Sequence, residues 1–156
     1  MRAFLHRRLW APLSGLLRQG VTPDKLAWSL SLGVVLGLVP VLGVSTAACA
    51  LAAVALRLNL PAIQLVNYLL TPLQLLLIIP QLRFGEWLVQ APPFPITLES
   101  GLALLANGVF DTVRVLGTAI AHATLAWVVL APPAALILQR TFAAVLRRRI
   151  PLEVTP

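Results

Sequence analysis

Three stretches of the chain carry no Asp, Glu, Lys or Arg: residues 26–56, 58–82 and 115–139. Each is long enough to be a membrane segment. The second and third have 25 residues apiece, and at about 1.5 Å per helical residue each reaches about 37 Å, more than the ~30 Å of a bilayer's hydrocarbon core. Both are expected to be transmembrane helices. The first, with 31 residues, is too long for one straight span and too short for two full crossings of about 20 residues each. Its middle reads Val39-Pro40-Val41-Leu42-Gly43-Val44-Ser45-Thr46. Pro40 has no amide hydrogen and clashes with the carbonyl four residues back, so a helix breaks there. Gly43 permits a positive φ, and Ser45 or Thr46 can cap a new helix. The favoured reading of residues 23–56 is a broken, re-entrant helical hairpin; a single long span kinked at Pro40 competes with it.

The flanks are amphipathic. In residues 3–19, Leu5, Leu9, Leu13 and Leu16 share one helical face and Arg7, Arg8 and Arg18 the other, the pattern of an interfacial helix with its cations at lipid headgroups. A signal peptide is rejected, because the apolar run comes too late and is too long. Thr22-Pro23-Asp24 then supplies a cap, a first-turn proline and an acid at the positive end of the helix dipole. Residues 97–113 repeat the amphipathic pattern, with Leu98, Leu102, Leu105, Val109 and Val113 on one face. The Pro-rich run 91–95 is a stiff connector into this second interfacial helix.

Composition strengthens the membrane reading. Hydrophobic residues make up 59% of the 156 and charged residues 11%, against about 45–50% and about 25% in soluble domains. A core this small cannot hide that excess. Charge then orients the segments. Of 12 Lys and Arg against 5 Asp and Glu, most lie at the two ends: Arg2, Arg7, Arg8, Arg18 and Lys25 before the first apolar stretch, and Arg140, Arg147, Arg148 and Arg149 in the basic tail 140–156. The segment 83–114 holds two Arg against Glu86, Glu99 and Asp111. The positive-inside rule puts both termini in the cytoplasm, which requires an even number of crossings and therefore favours the hairpin. The expected architecture is an all-α membrane protein in one domain: a broken, re-entrant hairpin, two transmembrane helices and amphipathic interfacial helices. The expected address is a membrane, crossed more than once, with both termini cytoplasmic. The same cation distribution argues against nucleic acid as the partner of a basic chain.

Candidate chemistry is sparse. Gln64, Asn67, Tyr68, Thr71 and Gln74 fall on one arc of the second apolar stretch. Amides facing hydrocarbon cost several kcal/mol each if unpaired, so this stripe faces another helix or a ligand. Helix–helix hydrogen bonding and a solute or headgroup site are both open. Pro72 on the same stretch leaves the carbonyl of Tyr68 without its helical donor, which makes it a structural break with Pro40 and Gly43. Ser29, Gly33 and Gly37, four apart, form a stripe that lets backbones approach closely. If a second half-helix starts near Ser45, its amides present a positive dipole end inside the bilayer, the geometry with which broken-helix transporters hold anionic groups. Ser45, Thr46, Gln64, Asn67, Thr71 and Gln74 are therefore the candidate substrate-binding set. His122 in the third stretch is a proton-relay candidate or a neutral interhelical hydrogen-bonder. Two histidines far apart and a lone Cys49 make no metal site and no disulfide. No nucleophile, nucleotide or other cofactor motif points to an enzyme.

The landmarks Pro23-Asp24-Lys25-Leu26-Ala27, Gly33 and Gly37, Pro40-Val41-Leu42-Gly43-Val44-Ser45-Thr46, Leu58-Asn59-Leu60-Pro61 and Gln64-Leu65-Val66-Asn67-Tyr68 resemble a bacterial membrane family, domain of unknown function 2062. Pro72-Leu73-Gln74 and Arg83-Phe84-Gly85-Glu86 extend the likeness over about residues 22–88. Many members carry an Asn-Pro-x-Thr element in the second block. Here Asn67 and Pro72 are separated, as in a subfamily variant. The resemblance implies a membrane address and brings no activity with it. Two functions fit: a small transporter or translocase of lipids or lipid-linked precursors, and a non-transporting anchor or scaffold for a membrane enzyme. Membrane lipids are the expected partners, with a second copy or another membrane protein beside them. A polar cleft lined by Gln64, Asn67 and Thr71 separates the two, since transport needs it and a scaffold does not.

Overall fold

The computed structural model describes residues 22–41, 43–97 and 109–149. The expected interfacial helix at 3–19 lies outside these residues, as does most of the one at 97–113. Among the described residues the chain is all-helical, with five helices: α1 (Pro23–Gly37), α2 (Val44–Ala55), α3 (Leu60–Leu69), α4 (Thr71–Leu88) and α5 (Val109–Arg149).

Local chemistry explains the starts of α1 and α3. Thr22 caps α1 by accepting from the Lys25 amide at 3.3 Å, with Pro23 and Asp24 in the first turn. Asn59 caps α3 by accepting from the Ala62 amide at 2.9 Å. α2 begins differently from the expectation. Neither Ser45 nor Thr46 caps it; the N-cap is Gly43, with φ 84° and no side-chain cap bond. The positive φ reverses the chain so tightly that the helix has already started at Val44, leaving both hydroxyl residues inside its first turn.

One long-range bond shows that the chain folds back on itself after the break. The Asn59 amide donates to Ser29 Oγ at 2.9 Å. A continuous span would separate these residues by about 45 Å, so α2 must run back along α1. α3 then runs parallel to α1, packed on its small-residue stripe. A Cβ on Gly33 would lie 2.9 Å from the Ile63 carbonyl, and one on Gly37 3.2 Å from the Asn67 Cα. Cys49, Ala53 and Ile63 form the buried cluster between α2 and α3, against Leu32 and Leu36 of α1.

The second apolar stretch is not the single helix expected over 58–82. It divides at Leu70 into α3 and α4, which are bent by 63°. Pro72, in the first turn of α4, cannot donate to the Tyr68 carbonyl, and the chain turns where that rung is missing. The third stretch, in contrast, is longer than expected. α5 has 41 residues and runs straight through the boundaries at Val115 and Gln139, taking in the start of the basic tail. It is the one described helix long and apolar enough by itself to cross a membrane, over Thr112–Arg148; α3 and α4 qualify as a pair.

α5 lies antiparallel to α1. Trp127 Nε1 donates to the Val35 carbonyl at 2.8 Å, and Arg147 pairs with Asp24 at 2.8 Å. It also crosses α4 where Gly85 meets the backbone of His122 so closely that a Cβ there would overlap it. The resulting surface inverts the soluble pattern. Leu51, Val54, Leu76 and Phe110 are more than 70% exposed, whereas Ser29, Ser31, Asn67 and Gln74 are buried.

Candidate functional site

The break between α1 and α2 strips backbone carbonyls of their helical donors, as any helix end does. The polar stripe answers that need. Gln74 Nε2 donates to the Val39 carbonyl at 2.6 Å, and Gln81 Nε2 to the Leu38 carbonyl at 3.0 Å. One turn earlier, the Val35 carbonyl receives the Trp127 indole. Beyond the break, Gln64 Nε2 donates to the Thr46 carbonyl at 3.0 Å. Asn67 Nδ2 is shared between Thr46 Oγ1 and Gln64 Oε1, both at 3.3 Å. Thr71 Oγ1 turns back to the Asn67 carbonyl at 3.5 Å.

Of the six candidate binding residues, four thus form one network, Thr46, Gln64, Asn67 and Thr71, while Gln74 separately holds the Val39 carbonyl at the break. Ser45 is buried beside them. Tyr68, on the same predicted arc, is 61% exposed and takes no part. None of the three principal cavities touches Ser45, Thr46, Gln64, Asn67, Thr71 or Gln74. The stripe's chemistry is that of a donor set matched to exposed carbonyls. Gln81 and Trp127 complete it. Gln81 has a sequence signal, since it sits seven residues beyond Gln74 and so on the same helical face. Trp127 has none, because its acceptor is 92 residues away.

A second polar cluster, unforeseen as a unit, closes the far end of α4. The Glu86 side chain, only 4% exposed, pairs with Arg83 at 2.9 Å. Its Oε1 accepts the Phe94 amide at 2.7 Å, while Arg83 Nη2 donates to the Phe94 carbonyl at 3.0 Å. The two side chains clamp both backbone groups of Phe94, which fixes the 91–97 connector on α4. His122 of α5 lines the same cavity as Glu86, with Thr118 one turn away. Among the described residues no group of three or more His, Cys, Asp or Glu is placed to hold a metal.

An apolar cavity of about 410 Å³ lies among α1, α4 and α5 beside Leu38, Phe84 and Trp127. A second of about 240 Å³ lies among α4, α5 and Phe94, and the one at Glu86 holds about 540 Å³.

Comparison with known proteins gives one match. A family model described as "Uncharacterized protein conserved in bacteria (DUF2062)" covers residues 6–152, and the chain belongs to that family. No curated protein and no solved structure matches.

Proposed function

We propose that this member of the bacterial DUF2062 family is a multi-pass inner-membrane anchor, with a packing module at its centre rather than a transport path. The observation that carries the reading is the internal use of the polar stripe. Gln74 donates to the Val39 carbonyl at the break, while Gln64 and Asn67 donate to Thr46, and Asn67 to Gln64 as well, so the stripe is satisfied within the chain, as buried polar groups must be where no water reaches them. A translocase needs those groups on a water-accessible cleft, and they line none of the principal cavities.

The membrane placement rests on two further observations. Many large apolar side chains face outward, while Ser29, Ser31, Asn67, Gln74 and Glu86 are buried among a mostly apolar interior, an arrangement compatible with lipid as the solvent. The cations also sort to one end. The Arg147–Asp24 pair and the Asn59–Ser29 bond bring Lys25, Arg57, Arg147 and Arg148 to the same side, which the positive-inside rule makes cytoplasmic. The α1–α2 hairpin then enters and leaves on that side, with α3 plus α4 as one bent crossing and α5 as the other. Its partners are membrane lipids and a second membrane protein or a second copy.

Reconstitution tests the choice between anchor and translocase. In vesicles carrying a fluorescent phospholipid in both leaflets, an external quencher is expected to remove about the same fraction of signal with or without the protein. Loss of the inner-leaflet signal in protein-containing vesicles would overturn the anchor reading in favour of lipid translocation.

A further inference from the structure

Arg57 stands where a glycine is the usual choice. α2 ends in a Schellman turn, in which the Leu58 amide reaches the Ala53 carbonyl at 2.8 Å and the Arg57 amide the Val54 carbonyl at 3.3 Å. The residue at the bend of that turn takes a left-handed conformation, and Arg57 has φ 52°. A β-carbon crowds the neighbouring carbonyl oxygen there, which is why glycine or asparagine is favoured. Arginine brings no backbone advantage to the turn. Its side chain is exposed, and among the described residues no acid lies within ion-pair distance of it. A strained residue whose charge has no partner in the chain points to a ligand outside it.

A second free cation stands nearby. Ser29 Oγ accepts the Asn59 amide at 2.9 Å and donates to the Lys25 carbonyl at 2.8 Å, so the backbones of Lys25 and Arg57 are at most about 14 Å apart. Lys25 is exposed and likewise has no acid within ion-pair distance among the described residues. Its neighbour Asp24 is held through both oxygens by Arg147, at 2.8 and 3.0 Å. Beside the two cations the surface turns apolar: Leu51, Val54, Leu56 and Leu60 are each more than 40% exposed. A nucleic acid or an acidic protein would meet the charges and leave that strip uncovered, whereas an anionic head joined to hydrocarbon chains matches both. Two cations with no free carboxylate beside them also favour a headgroup of net negative charge over a zwitterionic one. We propose that Arg57 and Lys25 hold the phosphate of an anionic phospholipid at the base of the α1–α2 hairpin, with the lipid's chains along α2. This site requires the chain to sit in a bilayer, as proposed above, and is indifferent to whether it anchors or translocates.

The test uses the full-length protein in detergent, titrated with phosphatidylglycerol or, separately, phosphatidylcholine and read by native mass spectrometry. Phosphatidylglycerol should be retained in preference to phosphatidylcholine. Arg57→Gly should reduce its affinity about fivefold, the worth of one basic side chain at an anionic surface, without lowering the melting temperature, because glycine suits the turn. Lys25→Gln should have a similar effect. Arg114→Gln, which removes an exposed cation at the opposite end of α5, should have none. Excess glycerophosphoglycerol, which has the head without the chains, should not compete. A melting temperature lowered by Arg57→Gly with the lipid preference unchanged, or equal losses from Arg57→Gly and Arg114→Gln, overturns the proposal. Competition by the soluble head overturns the lipid assignment in favour of a soluble phosphate ester, and displacement by a short oligonucleotide overturns it in favour of nucleic acid. Alkaline carbonate extraction of membranes from expressing cells reads the membrane placement separately. Protein that stays in the pellet but shows no preference for phosphatidylglycerol overturns this site alone, whereas protein released to the supernatant overturns the membrane reading with it.

Discussion

Two glycines show how differently the same residue can be required. Gly43 has φ 84°, and nothing lies within 4 Å of where a Cβ would stand, so a substitution there meets only backbone strain. Gly43→Val should cost about 1–3 kcal/mol, while Gly43→Asn, which tolerates the left-handed region, should cost much less. Gly85 has ordinary helical geometry but sits against the His122 backbone. Gly85→Ala must part α4 from α5, so it should destabilise by about 1–3 kcal/mol without any φ penalty. Denaturant unfolding in detergent, run on all three variants, separates these cases: Asn rescuing position 43 is the expected signature. Gly43 was legible in the sequence because a glycine three residues after a proline in an apolar run announces a turn. Gly85 was not, since a close approach belongs to the partner helix and leaves no local mark.

The elements were legible to the extent that their signals are local. Thr22-Pro23-Asp24 and Asn59-Leu60-Pro61 mark the starts of α1 and α3 through capping and first-turn proline chemistry. The stripe on the second apolar stretch was visible as a period of polar residues, but its use was not. Its acceptors are carbonyls near the break, 35 residues away for Gln74 and 43 for Gln81, and a periodicity says nothing about what lies across a gap. The 63° bend between α3 and α4 was foreshadowed by Pro72, though proline alone does not distinguish a kink from a corner. Removing one donor tests the role of the network. Gln74→Leu leaves the Val39 carbonyl buried without its partner, and should cost about 1–3 kcal/mol. Asn67→Leu should lower the yield of folded protein in the same way. Size-exclusion profiles of the two variants check this; unchanged yield and stability would exclude hydrogen bonding across the break as their purpose.

At the scale of the molecule, the charge distribution foretold that residues 25 and 57 share a side, and the Asn59–Ser29 bond provides the geometry for it. Single cysteines at Lys25 and Arg57, in a Cys49→Ala background, should be labelled by an impermeant maleimide only from the cytoplasmic face of membrane vesicles. Labelling of position 57 from the opposite face would exclude the re-entrant arrangement in the membrane. What the sequence concealed at this scale is the length of α5. Arg140 and Arg147 read as a tail because charges end a hydrophobic stretch, yet they do not end a helix: Arg is a good helix former, and nothing between Gln139 and Arg147 breaks the backbone pattern.

That length has a mechanical consequence. At about 1.5 Å per residue the 41 residues of α5 extend about 61 Å, roughly twice the hydrocarbon thickness of a bilayer. The helix is therefore longer than a crossing needs, and past Pro132 and Pro133 its last turns keep a regular phase up to Arg147. Removing one residue between Gln139 and Arg147 would turn everything after it by about 100° and swing Arg147 away from Asp24, whereas removing a near-whole turn of about 3.6 residues would restore the facing with only a shorter reach. The Arg147–Asp24 contact is thus sensitive to the phase of an insertion or deletion more than to its size.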